Sequence, residues 1–339
     1  MKIAVDAMGS DHYPQPDVEG AVAAARKYGI EIILVGDESQ IRTVLEPLET
    51  QGLPIRVVHS PEMLTMEDKG LALALKAKRK EPRTSMAVGM DLVKRGEAQA
   101  FVTAGNTGAA AATAYFRIGT LAGVERPALA TVFPTRLGKC VVLDIGANPD
   151  CKPENVVQFA VMGAVYAERV RGVKNPRVAL LSNGEEAGKG DALVRESHKQ
   201  LLVSGLNYLG NVEPKELMAG TADVVVTDGF TGNILLKASE AVASLILETM
   251  RDRIQSASLL GKLGGLLVRP TLRSVAKLLD PTEEGAAPLL GIDGLIFVGH
   301  GRSNALAIEN AVRLAKRAVE ADVLNSIRAE IGQRLPSPA

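Results

Sequence analysis

Tryptophan is absent from this 339-residue chain, and aromatic residues make up only 3% of it although hydrophobic residues reach 46%. A core without large rings must be filled by aliphatic side chains, alanine and glycine, as helices packed closely on a parallel sheet require. Cysteine is scarce too. Cys140 and Cys151 are too few and wrongly spaced for a disulfide framework or a zinc site, and both are expected to be free thiols in a reducing cytosol. There is no surplus of positive charge: 39 basic residues face 39 acidic ones. That argues against a nucleic-acid partner, because affinity for a phosphate backbone depends on excess Lys and Arg. No targeting pattern opens the chain, since Met1-Lys-Ile-Ala-Val-Asp-Ala7 runs directly into a strand. No apolar run reaches the ~20 residues of a spanning helix, so a cytoplasmic protein with only peripheral membrane contact is expected.

What the chain does have is alternation. Strand-like Ile3–Ala7, Glu31–Val35 and Ile55–His59 are separated by helical patterns from about Asp17 to Lys27 and from Glu38 to about Leu48. This is the βαβ order of an α/β fold. Asp37-Glu-Ser-Gln40 has capping-box spacing with Asp in place of Ser or Thr, and Gly29 and Gly52 stand where helices should end. Two helices follow, Lys69–Arg79 and about Ser85–Arg95, with Pro82 between them. Ala128–Phe133 and Lys139–Leu143 flank Pro134-Thr-Arg-Leu-Gly138 as an antiparallel hairpin, which makes the sheet mixed. Then come a long helix from about Glu154 to Arg171, the strand Val178–Ser182, a helix from about Asp191 to Ser204 and the strand Val224–Thr227. A second long helix is expected from Gly232 to about Ile254, a last strand at Leu295–Val298, and a C-terminal helix from near Ser303. The length would allow roughly two domains. No linker or repeat interrupts the order, however, and residues 1–339 are read as one unit.

The stretch Ala100-Phe-Val-Thr-Ala-Gly-Asn-Thr-Gly108 takes a short strand straight into a helix through Gly105, Asn106, Thr107 and Gly108. Two glycines let the backbone bend tightly, and the helix that follows aims its dipole and unpaired amides at the turn. An oxyanion fits there. The plainer reading is a helix capped by Asn106 or Thr107 with nothing bound. Similar junctions occur at Asp144-Ile-Gly-Ala-Asn148, Ser182-Asn-Gly-Glu-Glu186, Asp228-Gly-Phe-Thr-Gly-Asn233 and Gly299-His-Gly-Arg-Ser-Asn304. In a parallel sheet all strands end on one side, so these turns are expected to meet. Asp6-Ala-Met-Gly-Ser-Asp-His12 adds Asp6, Asp11, Ser10 and His12 at another strand end, where ligand groups usually sit.

Two familiar phosphate loops are absent. No Gly-x-Gly-x-x-Gly occurs, and Gly184-Glu-Glu-Ala-Gly-Lys189 is one residue short of a P-loop and is followed by Gly190. Lys189 is either a point charge for phosphate or a solvated lysine. His300, between two glycines at a strand end, is the best placed of four histidines. No Gly-x-Ser-x-Gly elbow and no cluster at metal spacing is present, so neither covalent catalysis nor a metal is expected.

Asp6–His12, Thr103-Ala-Gly-Asn-Thr-Gly-Ala109, Asp144–Asn148, Leu180-Leu-Ser-Asn-Gly-Glu185 with Lys189-Gly190, Asn211-Val-Glu213, Asp228–Asn233, Ala287-Pro-Leu-Leu-Gly291 and His300-Gly-Arg-Ser303 together resemble the signatures of the bacterial phosphate acyltransferase family PlsX. The resemblance spans essentially the whole chain. Asp228–Lys237 also resembles a phosphotransacetylase motif. One departure is Glu284-Gly-Ala286, where the family pattern has Tyr-Gly-Gly. The resemblance implies a three-layer αβα sandwich, mostly parallel, like isocitrate and isopropylmalate dehydrogenases, and a homodimer without cofactor. It implies transfer of a long acyl chain from acyl-acyl carrier protein to inorganic phosphate, the product going to a membrane glycerol-3-phosphate acyltransferase. Gly105–Gly108 would hold phosphate, Lys189 or His300 would offset its charge, Asp228 and Asn233 would orient it or serve the departing thiol, and Asp6, Asp11 and Asn148 are further site candidates. A phosphate-recognising dehydrogenase of the same fold and a non-catalytic membrane scaffold are the alternatives.

Arg253 to Leu279 contains five basic residues, among them Arg269, Arg273 and Lys277, no acidic residue, and leucines that include Leu266 and Leu267. Gly261, Gly264, Gly265 and Pro270 are expected to divide it into two short helices. A protruding amphipathic segment at about 253–280 could rest on anionic lipid or attract the acidic carrier. The plainer reading buries these leucines against the sheet or a dimer partner.

Overall fold

The computed structural model describes residues 1–64, 68, 76–79, 81 and 83–334. The helix expected over 69–79 lies mostly outside them, as does Pro82; residues 76–78 are helical. The strands are β1 (Lys2–Asp6), β2 (Glu31–Gly36), β3 (Ile55–His59), β4 (Ala100–Thr103), β5 (Ala128–Thr135), β6 (Gly138–Leu143), β7 (Val178–Leu181), β8 (Tyr208–Val212), β9 (Val224–Val226), β10 (Ala287–Leu290) and β11 (Leu295–Val298). The helices, numbered in chain order, are α1 (Gln15–Tyr28), α2 (Glu38–Leu45), α3 (Ser85–Lys94), α4 (Thr107–Arg117), α5 (Pro153–Arg171), α6 (Ala192–Leu202), α7 (Pro214–Ala219), α8 (Gly229–Gln255), α9 (Leu259–Leu279), α10 (Ala305–Glu320) and α11 (Val323–Arg334).

Local chemistry sets most of these limits. Asp37 caps α2 by accepting from the amides of Ser39 and Gln40, and α1 stops where Gly29 turns left-handed with φ 61°. The pair β8–α7 was not expected from the sequence, and neither was β10. Pro288 lies inside β10, which sequence patterns count against a strand.

All the described strands form one sheet, in the order β3-β2-β1-β4-β11-β10-β5-β6-β9-β7-β8. Pairing is parallel from β3 to β11 and again from β6 to β8, but antiparallel at β11–β10, β10–β5 and β5–β6. An odd number of reversals leaves the two halves running in opposite senses. The expectation that all the glycine-rich turns share one edge therefore does not hold. The turns after β1, β4 and β11 share one edge, and those after β6, β7 and β9 share the other.

Alternate side chains of each strand point to two separate cores. On one face Ile3, Val5, Val102 and Val226 meet α1, α2, α5, α6, α10 and α11; on the other Ala4, Phe101 and Val225 meet α3, α4, α7 and the base of α8. The result is the three-layer αβα sandwich. The few rings are spent centrally: Tyr166, Phe101, Phe159 and Phe297 are among the largest fully buried side chains.

Helices α8 and α9 form a hairpin that leaves the body. The break falls at 256–258, and α9 runs unbroken through Gly261, Gly264, Gly265 and Pro270 with no buried residue, so the two short helices expected from those positions merge into one. Pro270 stands past the first turns, where the helix tolerates it at the loss of one backbone bond. By length and composition α8, with an 18-residue window of mean hydropathy 1.3, is long and apolar enough to cross a membrane. This corrects the sequence expectation, which counted unbroken runs that Lys237 and Glu240 interrupt. Its first turns are built into the body, however: Gly229 and Gly232 are buried, and Leu235 and Leu236 pack on the second core.

Candidate active site

On the first edge three turns interlock. Thr103 Oγ1 donates to Asp6 Oδ2 at 2.8 Å and accepts from the Gly105 amide at 3.1 Å, while Asp6 Oδ1 accepts from the Met8 amide at 3.1 Å. A Cβ on Gly9 would stand 2.9 Å from the Ala104 nitrogen, so the loop after β1 lies directly on the turn after β4. The third turn is tied in by the Gly299 amide donating to Thr103 O and the Asp11 amide donating to Gly301 O, both at 2.7 Å. The structure thus brings Asp6, Asp11, His300 and Gly105–Gly108 together on one edge. Asp11 and His300 are exposed, and Asp6 is buried.

Asn106 is the N-cap of α4, its Oδ1 accepting from the Ala109 amide at 2.9 Å. The capping reading is therefore met, and it sits alongside an anion site without excluding one. The amides of Thr107 and Gly108 open the helix where no preceding turn supplies acceptors, and Gly108 is exposed.

Asp17 is the residue here that sequence reading missed. It lies in the first turn of α1, fully buried, with Oδ2 accepting from Ser10 Oγ at 2.5 Å and Oδ1 without a hydrogen-bond partner among the described residues. Its only sequence signal was an acid one turn inside a helix that follows a glycine-rich loop. Burial pushes the carboxyl up to about 7, helped by the nearby charge of Asp6, against the lowering effect of the Ser10 hydroxyl. Burial raises Asp6 as well. The sign follows from linkage: in the fold Asp17 stays protonated up to about pH 7, whereas in the unfolded chain it ionises near its ordinary value. Stability from this group is full below about pH 4 and is lost as pH rises towards 7, by up to about 4 kcal/mol. Urea melts of Asp17→Asn should lack most of this decline between pH 4.5 and 7.5; a wild type with flat stability over that window would contradict the assignment.

On the second edge Asp144 is the hub. Its carboxylate accepts from the amides of Leu129, Gly146, Ala147 and Asn148 and from Asn148 Nδ2, at 2.7 to 3.2 Å. Asn148 is buried and also donates to Pro127 O at 2.6 Å, which ties this turn to the loop before β5. Asp228 caps α8, accepting from the Phe230 and Thr231 amides at 2.9 Å. Asn233 lies one turn on, its Nδ2 3.5 Å from where a Gly146 Cβ would stand. A recess of about 420 Å³ opens here, lined by Asp150, Cys151, Asp191, Asp228, Phe230 and Thr231. Three carboxylates make it a poor holder of a phosphate dianion. Lys189 is exposed, its stem lying over Gly184, in a loop that the Gly190 amide fastens to Asn183 Oδ1 at 3.0 Å.

Neither cysteine is a ready nucleophile. Burial pushes both thiols up to about 12, Cys140 within β6 and Cys151 beside the recess.

The two edges share a layer. Ala109 and Ala110 of α4, Ile145, and Leu235 and Leu236 of α8 all belong to or pack on the same core on one face of the sheet. An α/β sandwich with glycine-rich turns opening two helices on one face is the class of protein defined here, and solved structures similar to it in fold include phosphotransacetylases. One from Streptococcus pyogenes superposes with a TM-score of 0.62 at 20% identity, covering 95% of this chain and 94% of its own. A putative 4-hydroxythreonine-4-phosphate dehydrogenase from Salmonella typhimurium gives 0.50 at 15% identity, covering 93% of this chain and 99% of its own, which extends the likeness of fold to a dehydrogenase.

The family model described as "Fatty acid synthesis protein" matches residues 1–326. Proteins called phosphate acyltransferase are 46% identical over 99% of this chain and 96% of the relative in Geotalea uraniireducens, and 47% over 97% and 98% in Thermus thermophilus. The chain belongs to the phosphate acyltransferase family, PlsX.

Proposed function

We propose that this protein transfers a long-chain acyl group from acyl-acyl carrier protein to inorganic phosphate, forming an acyl phosphate for phospholipid synthesis. Acyl transfer with phosphate rests on one observation, near-full-length identity to phosphate acyltransferases. The carrier as donor and the long chain are the finer part of the reading.

In this reading the Thr107 and Gly108 amides and the α4 dipole hold phosphate at the first edge, and His300 on the adjoining turn helps to offset its charge. A phosphate oxygen attacks the thioester carbonyl, the carbon–sulfur bond breaks, and the carrier thiol leaves with a proton. Phosphate is itself the nucleophile, so the enzyme's work is placement and oxyanion stabilisation. The two raised thiols support direct attack over an acyl-cysteine. Asp228 and Asn233, on the acidic second edge, are proposed to meet the carrier part of the donor, with Lys189 as a further charge beside them. We also propose a homodimer, peripheral on the cytoplasmic face of the membrane through α8 and α9, delivering product to a membrane glycerol-3-phosphate acyltransferase.

The test is thiol release from acyl-carrier thioester that depends on added phosphate. Hydrolysis at the same rate without phosphate would refute it. Asn106→Ala should lower kcat/KM for phosphate roughly ten- to a hundredfold, since a lost charge-assisted hydrogen bond and a loosened cradle are worth ~1.5–3 kcal/mol. Unchanged kinetics in a folded variant would remove Asn106 from the site.

A further inference from the structure

On the other face of the sheet, where its two oppositely running halves meet, a cavity of about 300 Å³ opens beside the first edge, next to Gly285, whose carbonyl lies 3.3 Å from where a Gly299 Cβ would stand. Lys139 reaches it from the start of β6, Arg171 from the end of α5, and Arg313 and Arg317 from α10; the carboxylates are Glu283 and Glu284. Glu284 pairs with Lys139 and, at 3.6 Å, with Arg171. Glu283 has Lys277 at 3.6 Å, and its carbonyl accepts from Arg313 Nη2 at 2.7 Å. Four lining cations thus face two carboxylates, and neither Arg313 nor Arg317 has a carboxylate partner among the described residues.

A second observation points to a ligand. Tyr166 lies one turn before the lining residue Val170 on α5, is fully buried, and has a hydroxyl with no hydrogen-bond partner among the described residues. Burial first, and then Glu284, pushes this phenol up, so it stays a protonated donor; Glu284, Arg171 and Arg317, all lining the cavity, are the charged groups that act on it. A buried donor left without an acceptor is costly, and this one lies one turn along α5 from the cavity wall, within the electrostatic reach of Glu284, Arg171 and Arg317 that line it. An anion rich in acceptor oxygens answers both this donor and the excess of lining cations.

We infer that this cavity is a second anion site that takes a phosphate dianion, either free phosphate or the phosphate of a phosphomonoester. It is separate from the Gly105–Gly108 turn and does not rest on the acyl-transfer reading. Because α10 begins just after the His300–Ser303 turn while Lys139 and Arg171 belong to the other half, a bound anion would tie the candidate site's first edge to the second half of the sheet.

Titration calorimetry of the full chain with inorganic phosphate and, separately, methyl phosphate tests this, using wild type, Arg313→Gln/Arg317→Gln and Tyr166→Phe. One binding event should weaken roughly tenfold or more in the double variant, and several-fold in Tyr166→Phe, as expected for losing charge-assisted bonds. Binding of inorganic phosphate alone would identify free phosphate as the source; binding of methyl phosphate as well would identify the phosphomonoester. Affinities for both anions that are the same in wild type and a stably folded double variant overturn the proposal. If the double variant melts early, Tyr166→Phe, which removes a single oxygen, decides: unchanged affinity there overturns it too.

Discussion

Gly232→Ala is expected to destabilise the protein by about 3 kcal/mol or more, the upper range for forcing an atom into a packed site. The added methyl would stand 1.9 Å from the carbonyl oxygen of Asp144 and 3.1 Å from Thr227 Cγ2. Neither neighbour can yield cheaply. Asp144 is pinned by the hydrogen bonds its carboxylate accepts from the surrounding turn and from Leu129 on β5, so the first turn of α8 must move instead. That turn carries Asp228 and Asn233, and the second edge should distort together with the loss of stability. Gly264→Ala in α9 is the control, since its new Cβ meets nothing within 4 Å. It should be neutral or stabilising by up to about 1 kcal/mol through helix propensity. Denaturant melts of the two variants side by side check the contrast, and equal stability would show that α8 docks more loosely than its contacts indicate.

The second large effect is expected in the first half of α9. Leu266 and Leu267 are 61% and 83% exposed, and Leu259, Leu260 and Leu263 are likewise uncovered. These leucines do not bury against the chain's own sheet. On the proposed membrane reading, Leu266→Asp/Leu267→Asp removes two side chains each worth ~1.5–3 kcal/mol when buried, so vesicle affinity should fall by two orders of magnitude or more. Arg269, Arg273 and Lys277 add attraction of about 1 kcal/mol each near an anionic surface, which makes wild-type binding sensitive to salt. The measurement is co-sedimentation with anionic vesicles at low and high salt, alongside phosphate-dependent turnover on soluble acyl-carrier. Turnover should persist, since neither leucine touches either edge. Wild type that ignores vesicles at low salt would end the membrane reading, and a double variant that melts early or dissociates would assign these leucines to a partner copy.

Much of the local structure was legible because its causes are local. Gly29 ends α1, Asp37 opens α2 and Asn106 opens α4 through backbone bonds spanning only a few residues, and the β5–β6 hairpin shows itself in alternation around a short turn. The departure at Glu284-Gly-Ala286, by contrast, is explained by contacts distant in sequence. Gly285 sits at φ 83° with a would-be Cβ 2.4 Å from the Ala311 nitrogen, so the glycine stays, while Glu284 pairs with Lys139 and Arg171.

The sequence by itself determined the α/β order, most element limits and the family, since helix caps, hydrophobic period and signature turns are written in neighbouring residues. Tertiary structure alone decided that the turns divide between two edges, because the direction of a strand depends on which distant strand it pairs with, and β10 joins β11 to β5 across more than a hundred residues of chain. It alone decided that Asp17 and the Tyr166 hydroxyl are buried without full partners among the described residues, since desolvation is set by everything packed around a group and not by its neighbours in sequence. It decided, too, that the leucines of α9 stand clear of the body: an apolar helix face specifies that something should cover it, and only the fold shows that this chain's own sheet does not.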